Sequence, residues 1–219
     1  QSVTITQPAS ALSATIATQS NVNCFGGQNG SATITASGGT GPYSYSWNTT
    51  PAQNNASANN LSAGTWTCTI TDANGCSFTR NVTITQPTGA LSTSISAQNQ
   101  VGCFGESSGS ATVTATGGSG PYTYSWNTSP AQSTATANNL TAGTWTCTVT
   151  DAQGCTLAQN VSITQPAAAL AANLSSQTNV SCYGNASGRA TVIASGGTAP
   201  YTHSWNTSPA QNTATAINL

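Results

Sequence analysis

Residues 64–76 read Gly64-Thr65-Trp66-Thr67-Cys68-Thr69-Ile70-Thr71-Asp72-Ala73-Asn74-Gly75-Cys76, and this stretch decides the fold. Trp66, Cys68 and Ile70 fall on one side of an extended chain, with Thr65, Thr67, Thr69 and Thr71 on the other. Alternation with a period of two is the mark of a half-buried β-strand. The β-branched Thr row suits the outer face of such a strand. Asp72-Ala73-Asn74-Gly75 follows, with Asp at a turn start and Asn-Gly suited to positive φ, so the spacing predicts a hairpin.

The neighbouring stretches obey the same rule. Ala32, Ile34 and Ala36 alternate with Thr33 and Thr35; Tyr43, Tyr45 and Trp47 alternate with Ser44 and Ser46; Val82 and Ile84 form a last strand. Leu12 and Ile16, matched by Leu91 and Ile95, mark an opening strand, and Gly38-Gly39 before Pro42 links two others. No helical period is present. About seven short strands per unit predict an immunoglobulin-like β-sandwich.

The opening stretch recurs at 143–155 as GTWTCTVTDAQGC, part of a strict repeat. Cys24, Cys103 and Cys182 stand 79 residues apart in turn, as do Trp47, Trp126 and Trp205. A fixed period means one supersecondary unit is copied. The expected organisation is a repeat tail at 1–7, repeats at 8–86 and 87–165, and an incomplete repeat at 166–219. Junctions at Gln86-Pro87 and Gln165-Pro166 leave little slack, so an elongated rod is expected, each unit adding roughly 35–40 Å. Residues 1–7 match Asn81–Gln86 and the chain lacks Met, which suggests a window on a longer polymer. A unit copied in register builds length, surface or multivalency.

Charged residues make up 2% of the 219-residue chain, and the net charge is −1. Arg80 and Arg189 cannot neutralise a run of phosphates, so nucleic acid is excluded as a partner, and anionic membrane surfaces with it. So little charge gives almost no colloidal repulsion, which favours self-association or glycan cover. Asn48, Asn127 and Asn206 open Asn-x-Ser/Thr sequons and are the candidate acceptors.

Three cysteines per repeat leave at least one outside any intradomain bridge. Around the hairpin apex, Cys68 and Cys76 lie about 17 Å apart along the strand, whereas a bridge needs Cα atoms within about 7 Å. Cys68 and Cys147, on the apolar face, are expected as buried free thiols. The expected bridges are Cys24–Cys76 and Cys103–Cys155, each stabilising its domain by about 4 kcal/mol, with Cys182 paired to a cysteine past Leu219. Disulfides place the chain outside the cytosol.

The sequence of motifs resembles the SprB-type repeat of Bacteroidota gliding and adhesion proteins of the cell surface. It is carried by Cys24-Phe25-Gly26, by Gly38-Gly39-Thr40-Gly41-Pro42-Tyr43-Ser44-Tyr45-Ser46-Trp47, by Thr71-Asp72-Ala73-Asn74-Gly75-Cys76 and by Gln86-Pro87. The resemblance implies Ig-like or PKD-like modules in very long secreted proteins, exported by the type IX system. It also favours pairing Cys24 with Cys76, the family's usual two cysteines. Cys68 and Cys147 stand where Val is more usual, and Trp66 and Trp145 where Tyr is.

Catalysis has little to work with. The one histidine, His203, replaces Tyr45 and Tyr124 in register and reads as a packing residue. Of the acids only Asp72/Asp151 repeats, whereas acid–base chemistry needs two positioned titratable groups. One carboxylate per unit is too few for calcium, so no metal, cofactor or enzymatic activity is expected. The Tyr43–Trp47 aromatics and the Thr65–Thr71 row are the candidate glycan-contacting surfaces, each weighed against simple packing or solvation. These readings predict the shaft of an extracellular fibre or giant adhesin. Its partners are neighbouring repeats, with identical chains or surface glycans as further partners.

Overall fold

The computed structural model describes residues 1–219. It is built of β-strands with no helix, and so has no helix long and apolar enough to cross a membrane. The first repeat holds β1 (Ser13–Ser20), β2 (Gly30–Ser37), β3 (Ser44–Trp47), β4 (Ser57–Leu61), β5 (Gly64–Thr71) and β6 (Ser77–Ile84). They pair antiparallel in two sheets, β1-β2-β4 and β3-β5-β6. Ala32, Ile34, Ala58 and Leu61 from the first sheet and Trp47, Cys68, Ile70, Val82 and Ile84 from the second form one core. The alternating residues of the sequence are thus the inner faces of a sandwich.

Six strands form, one fewer than the sequence predicts. The sheet orders match those of an immunoglobulin sandwich without the edge strand that normally lies between the third and fourth of these six. Residues 48–56 occupy that place as a loop. The Gln53 side chain stands in for the missing neighbour: its Nε2 donates to the Asn59 carbonyl and its Oε1 accepts from the Asn59 N–H, both at 2.9 Å. Gln132 and Asn138 repeat this pairing.

In β4, Ala58 and Leu61 both face the core although they are three positions apart, an odd spacing. Asn60, at φ 55°, makes this possible by taking the left-handed conformation that Asn tolerates better than most residues. The extra residue is a bulge that turns Leu61 inward.

The second repeat reproduces the elements as β7 (Ser92–Asn99), β8 (Gly109–Thr116), β9 (Thr123–Trp126), β10 (Thr136–Leu140), β11 (Gly143–Thr150) and β12 (Thr156–Ile163). Their sheet orders are β10-β8-β7 and β12-β11-β9, those of the first repeat. Residues 166–219 form a single sheet of β13 (Ala171–Thr178), β14 (Arg189–Ser195) and β15 (Thr215–Ile217). With no second sheet over it, Val180 is 44% exposed, whereas its counterpart Val22 is 3% exposed.

The chain divides into two compact units. One holds Gln1–Thr93 with Ala115–Thr123 and Val149–Leu157; the other holds Ser94–Thr114, Tyr124–Thr148 and Ala158–Leu219. The first sandwich therefore shares its unit with the Gly117-Gly118 turn and the Asp151–Cys155 hairpin of the second repeat.

Candidate functional site

The site lies where the first repeat hands over to the second. After β1 the chain runs through Asn21–Gly27, a loop tied to the outgoing end of β6. The Gln19 amide donates to the Thr83 carbonyl at 2.7 Å, the Val22 N–H to the Thr85 carbonyl at 2.9 Å, and the Thr85 N–H to Asn21 Oδ1 at 3.0 Å. Gln86, the last residue before the junction proline, accepts from the Gly26 N–H through Oε1 at 2.8 Å. The Gly27 N–H closes a turn onto the Cys24 carbonyl at 2.9 Å. Cys24 is thus held by the same strand end that leads into the next repeat.

Facing it is the hairpin after β11. Asp151 is 5% exposed, and its carboxylate organises the turn. Oδ1 accepts from the N–H groups of Gln153 and Cys155, and Oδ2 from that of Ser119, each at 2.9 Å. Asp72 does the same in the first repeat, with Asn74 and Cys76 at 2.9 Å and Thr40 at 3.0 Å. The Thr40 N–H is the largest influence holding the Asp72 carboxyl below the usual range; burial opposes it, and the Cys76, Asn74 and Gly75 N–H groups add to the lowering. For Asp151 burial is the largest influence and pushes upward, yet the N–H groups of Cys155, Ser119, Gln153 and Gly154 outweigh it. Both oxygens accept from backbone donors, so the Asp72 carboxylate cages the Asp72-Ala73-Asn74-Gly75 turn.

The cage also accounts for Gly39. Its φ is +61°, and a Cβ there would lie 2.7 Å from Asp72 Oδ2. Only glycine suits both the left-handed backbone and the close approach of the carboxylate.

Loop and hairpin are joined covalently. Cys24 is bonded to Cys155, with Cα atoms 5.8 Å apart and a separation of 131 positions in sequence. This corrects both expected bridges: Cys24 does not pair with Cys76, nor Cys103 with Cys155. The reason is strand length. Cys76 immediately precedes the eight-residue β6, and the Cys24 loop is bound to Thr85 and Gln86 just past its far end. Eight residues of strand put the two ends about 27 Å apart, far beyond the reach of a disulfide. Cys76, Cys103 and Cys182 are unpaired and exposed.

Cys68 and Cys147 are unpaired and 0% exposed. Burial pushes both thiols up, against a smaller lowering by backbone hydrogen bonds from Ser46 and Ser125. Trp47, paired across from Cys68, is 1% exposed, and its indole N–H donates to the Asn55 carbonyl at 2.9 Å. The aromatic strand therefore packs inward: Tyr43 and Tyr45 are half-buried, and the Tyr43 hydroxyl donates to the Gly38 carbonyl at 2.7 Å. His203 is also half-buried. Asn48 uses Oδ1 to accept the Thr67 N–H at 2.8 Å, as Asn127 does for Thr146. These two sequon residues, though exposed, lace β3 to β5 and β9 to β11; Asn206 is exposed as well.

One feature escaped the sequence reading. A cleft of about 400 Å³ is lined by Gln28, Thr49, Pro51, Gln53, Asn59 and Trp66. Trp66 is half-buried, with its indole N–H on the Ser62 carbonyl at 3.0 Å. The substitution of Trp for the more usual Tyr was the available signal.

A family model of the SprB repeat matches residues 16–51, 95–131 and 174–210, half of the chain. No curated protein matches in sequence. Three solved structures are similar. The three N-terminal domains of the highly immunogenic outer capsid protein Hoc of bacteriophage RB49 share 15% identity, with 85% of this chain and 69% of that one covered at a TM-score of 0.40. The Dpr2 Ig1-Ig2 complex with DIP-Theta Ig1-Ig3 shares 12%, covering 74% and 69% at 0.27. Domains 4–9 of the surface-layer protein SbsC share 12%, covering 86% and 36% at 0.26. With three matched segments in register with its period and its motifs folded into tandem sandwich modules, the chain belongs to the SprB repeat family.

Proposed function

We propose that this chain is the structural shaft of an extracellular bacterial fibre or giant surface adhesin. It is non-catalytic and carries a distal element away from the cell. The observation that supports this best is the Cys24–Cys155 bond, which fastens one repeat to the next across their junction. A bridge inside a domain protects that domain, whereas a bridge across a junction limits how far successive domains can be pulled or bent apart. Disulfide use and membership of the SprB repeat family favour a cell-surface location. Export by the type IX system and a part in adhesion or gliding belong to the same proposal.

Single-molecule pulling tests the shaft directly. The bond withholds 131 residues from extension, about 440 Å of fully drawn chain. Force curves of the oxidised protein should lack this length, and added reductant should restore it. Equal contour lengths with and without reductant would refute the reading.

A second reading, a multivalent glycan-binding array, is favoured by the Trp66 cleft, which offers an indole among Gln and Asn amides. Weak sites gain avidity by number. A glycan array probed with the chain and with Trp66→Ala tests it, and the shaft reading expects no saturable binding. In a third reading, lateral assembly into a filament, chains meet through the outer Thr row, since Cys68 is closed to other chains by burial.

A further inference from the structure

The remaining exposed cysteines are built as halves of the bond already formed. We propose that Cys76, Cys103 and Cys182 are half-sites of one repeating staple, each completed by the complementary cysteine of a further copy of this repeat. Cys103 and Cys182 take a hairpin cysteine of the Cys155 type; Cys76 takes a loop cysteine of the Cys24 type.

Three observations carry this. The first is register: Cys24 and Cys103 are equivalent under the repeat, and so are Cys76 and Cys155. The second is that the unbonded half-sites have the same local scaffold as the bonded ones. Gln165 Oε1 accepts from the Gly105 N–H at 2.9 Å, as Gln86 does from Gly26. The turn onto the loop cysteine's carbonyl is closed by Glu106 at Cys103 and by Asn185 at Cys182, each at 3.2 Å. On the hairpin side the Asp72 cage around the Cys76 N–H matches the Asp151 cage around that of Cys155. The backbone at Cys76 and Cys103 is therefore held as it is at the bonded pair before any bond forms.

The third is space. Beside Cys76 lies an open cleft of about 490 Å³ lined by Gln7, Pro8, Leu12, Gly39 and Asp72. At the second repeat the corresponding hairpin is met by the Cys24 loop. The odd cysteine count then resolves. One thiol per repeat is buried in the core, and the other two bond to different neighbours. The inference does not depend on the shaft reading, since a glycan-binding array would be stapled in the same way.

Closing a staple converts two thiols to one disulfide and releases two protons and two electrons. A low-molecular-weight or protein disulfide donor accepts the electrons by thiol–disulfide exchange. The Cys103 thiolate attacks the donor, expelling one donor thiol and leaving a mixed disulfide. The incoming thiolate then attacks the Cys103 sulfur, forming the protein bond and expelling the second donor thiol.

The test is disulfide mapping of the full-length protein. Free thiols are blocked with N-ethylmaleimide at harvest, and digestion uses pepsin at low pH, where too little thiolate exists for exchange. Glu106 marks the Cys103 peptide, and Tyr183 marks that of Cys182. Nearly every Cys103 peptide should be joined to an Asp-Ala-x-Gly-Cys peptide of another repeat, beside Cys24–Cys155. A non-reducing gel tells a bond within one chain from one between two chains, and either upholds the proposal. Cys103 recovered as the maleimide adduct, bonded to Cys155, or bonded to another loop cysteine overturns it.

Discussion

Removing the Cys24–Cys155 bond should cost stability in a pattern that no intradomain bridge can produce. The bond closes a loop of 131 residues. In the chain-entropy model, opening such a loop removes about 5 kcal/mol when both repeats unfold together. If the first repeat unfolds alone, roughly 60 mobile residues remain between Cys24 and the junction, and the loss is about 4 kcal/mol. Over two repeats this lowers the melting temperature by about 8–20 °C. A Cys24–Cys76 bridge has nearly the same entropic value, so magnitude alone does not separate the two arrangements. The identity of the sensitive partner does. By calorimetry, Cys24→Ser and Cys155→Ser should fall by equal amounts, and the double variant should fall no further, since both remove one bond. Cys76→Ser should not reproduce this loss, because Cys76 is not the partner of Cys24. The reasoning is refuted if Cys76→Ser falls with Cys24→Ser while Cys155→Ser does not.

Other consequences are equally direct. Asp72 and Asp151 have carboxyls lowered in the folded state, so their contribution is present above the unfolded value near 3.9 and is lost as pH falls through the lower folded value. Circular dichroism melts from pH 7 to pH 2 should hold steady to about pH 4 and drop below it; a flat profile would contradict the cage. Trp47→Ala should destabilise by about 3–5 kcal/mol, and Trp66→Ala by clearly less because its ring is half-exposed; urea titration ranks the two. Gly39→Ala places a side chain at positive φ against Asp72 and should cost more than about 1 kcal/mol, read in the same titration. Under native conditions iodoacetamide should spare Cys68 and Cys147 and should label them only on unfolding, with peptide masses as the readout.

The period, the alternating strands and the Asp72 hairpin were legible in the sequence because each is a local fact. Strand faces follow from which residues are two apart, and a turn follows from the conformations that Asp, Asn and Gly allow. The loop at 48–56 in place of an edge strand was less legible, since Gln53 replaces strand pairing with a side-chain amide that carries no period. The Asn60 bulge was hidden for a related reason: one extra residue breaks the alternation that identifies a strand. Asn48 reads as a sequon, yet its amide oxygen is engaged by the strand beside it.

By itself the sequence determined that each of the two complete copies is a β-sandwich with one buried cysteine and two others at loop positions. It could not determine which of those two bonds to which. Both complete copies carry cysteines at the same positions, so a bridge within a copy and a bridge to the next copy are written identically. Only the tertiary structure decided, by placing Cys24 and Cys76 at opposite ends of β6 and bringing the hairpin of the second repeat to the loop of the first. A strand is too long for a disulfide to span, and the neighbouring copy is within reach.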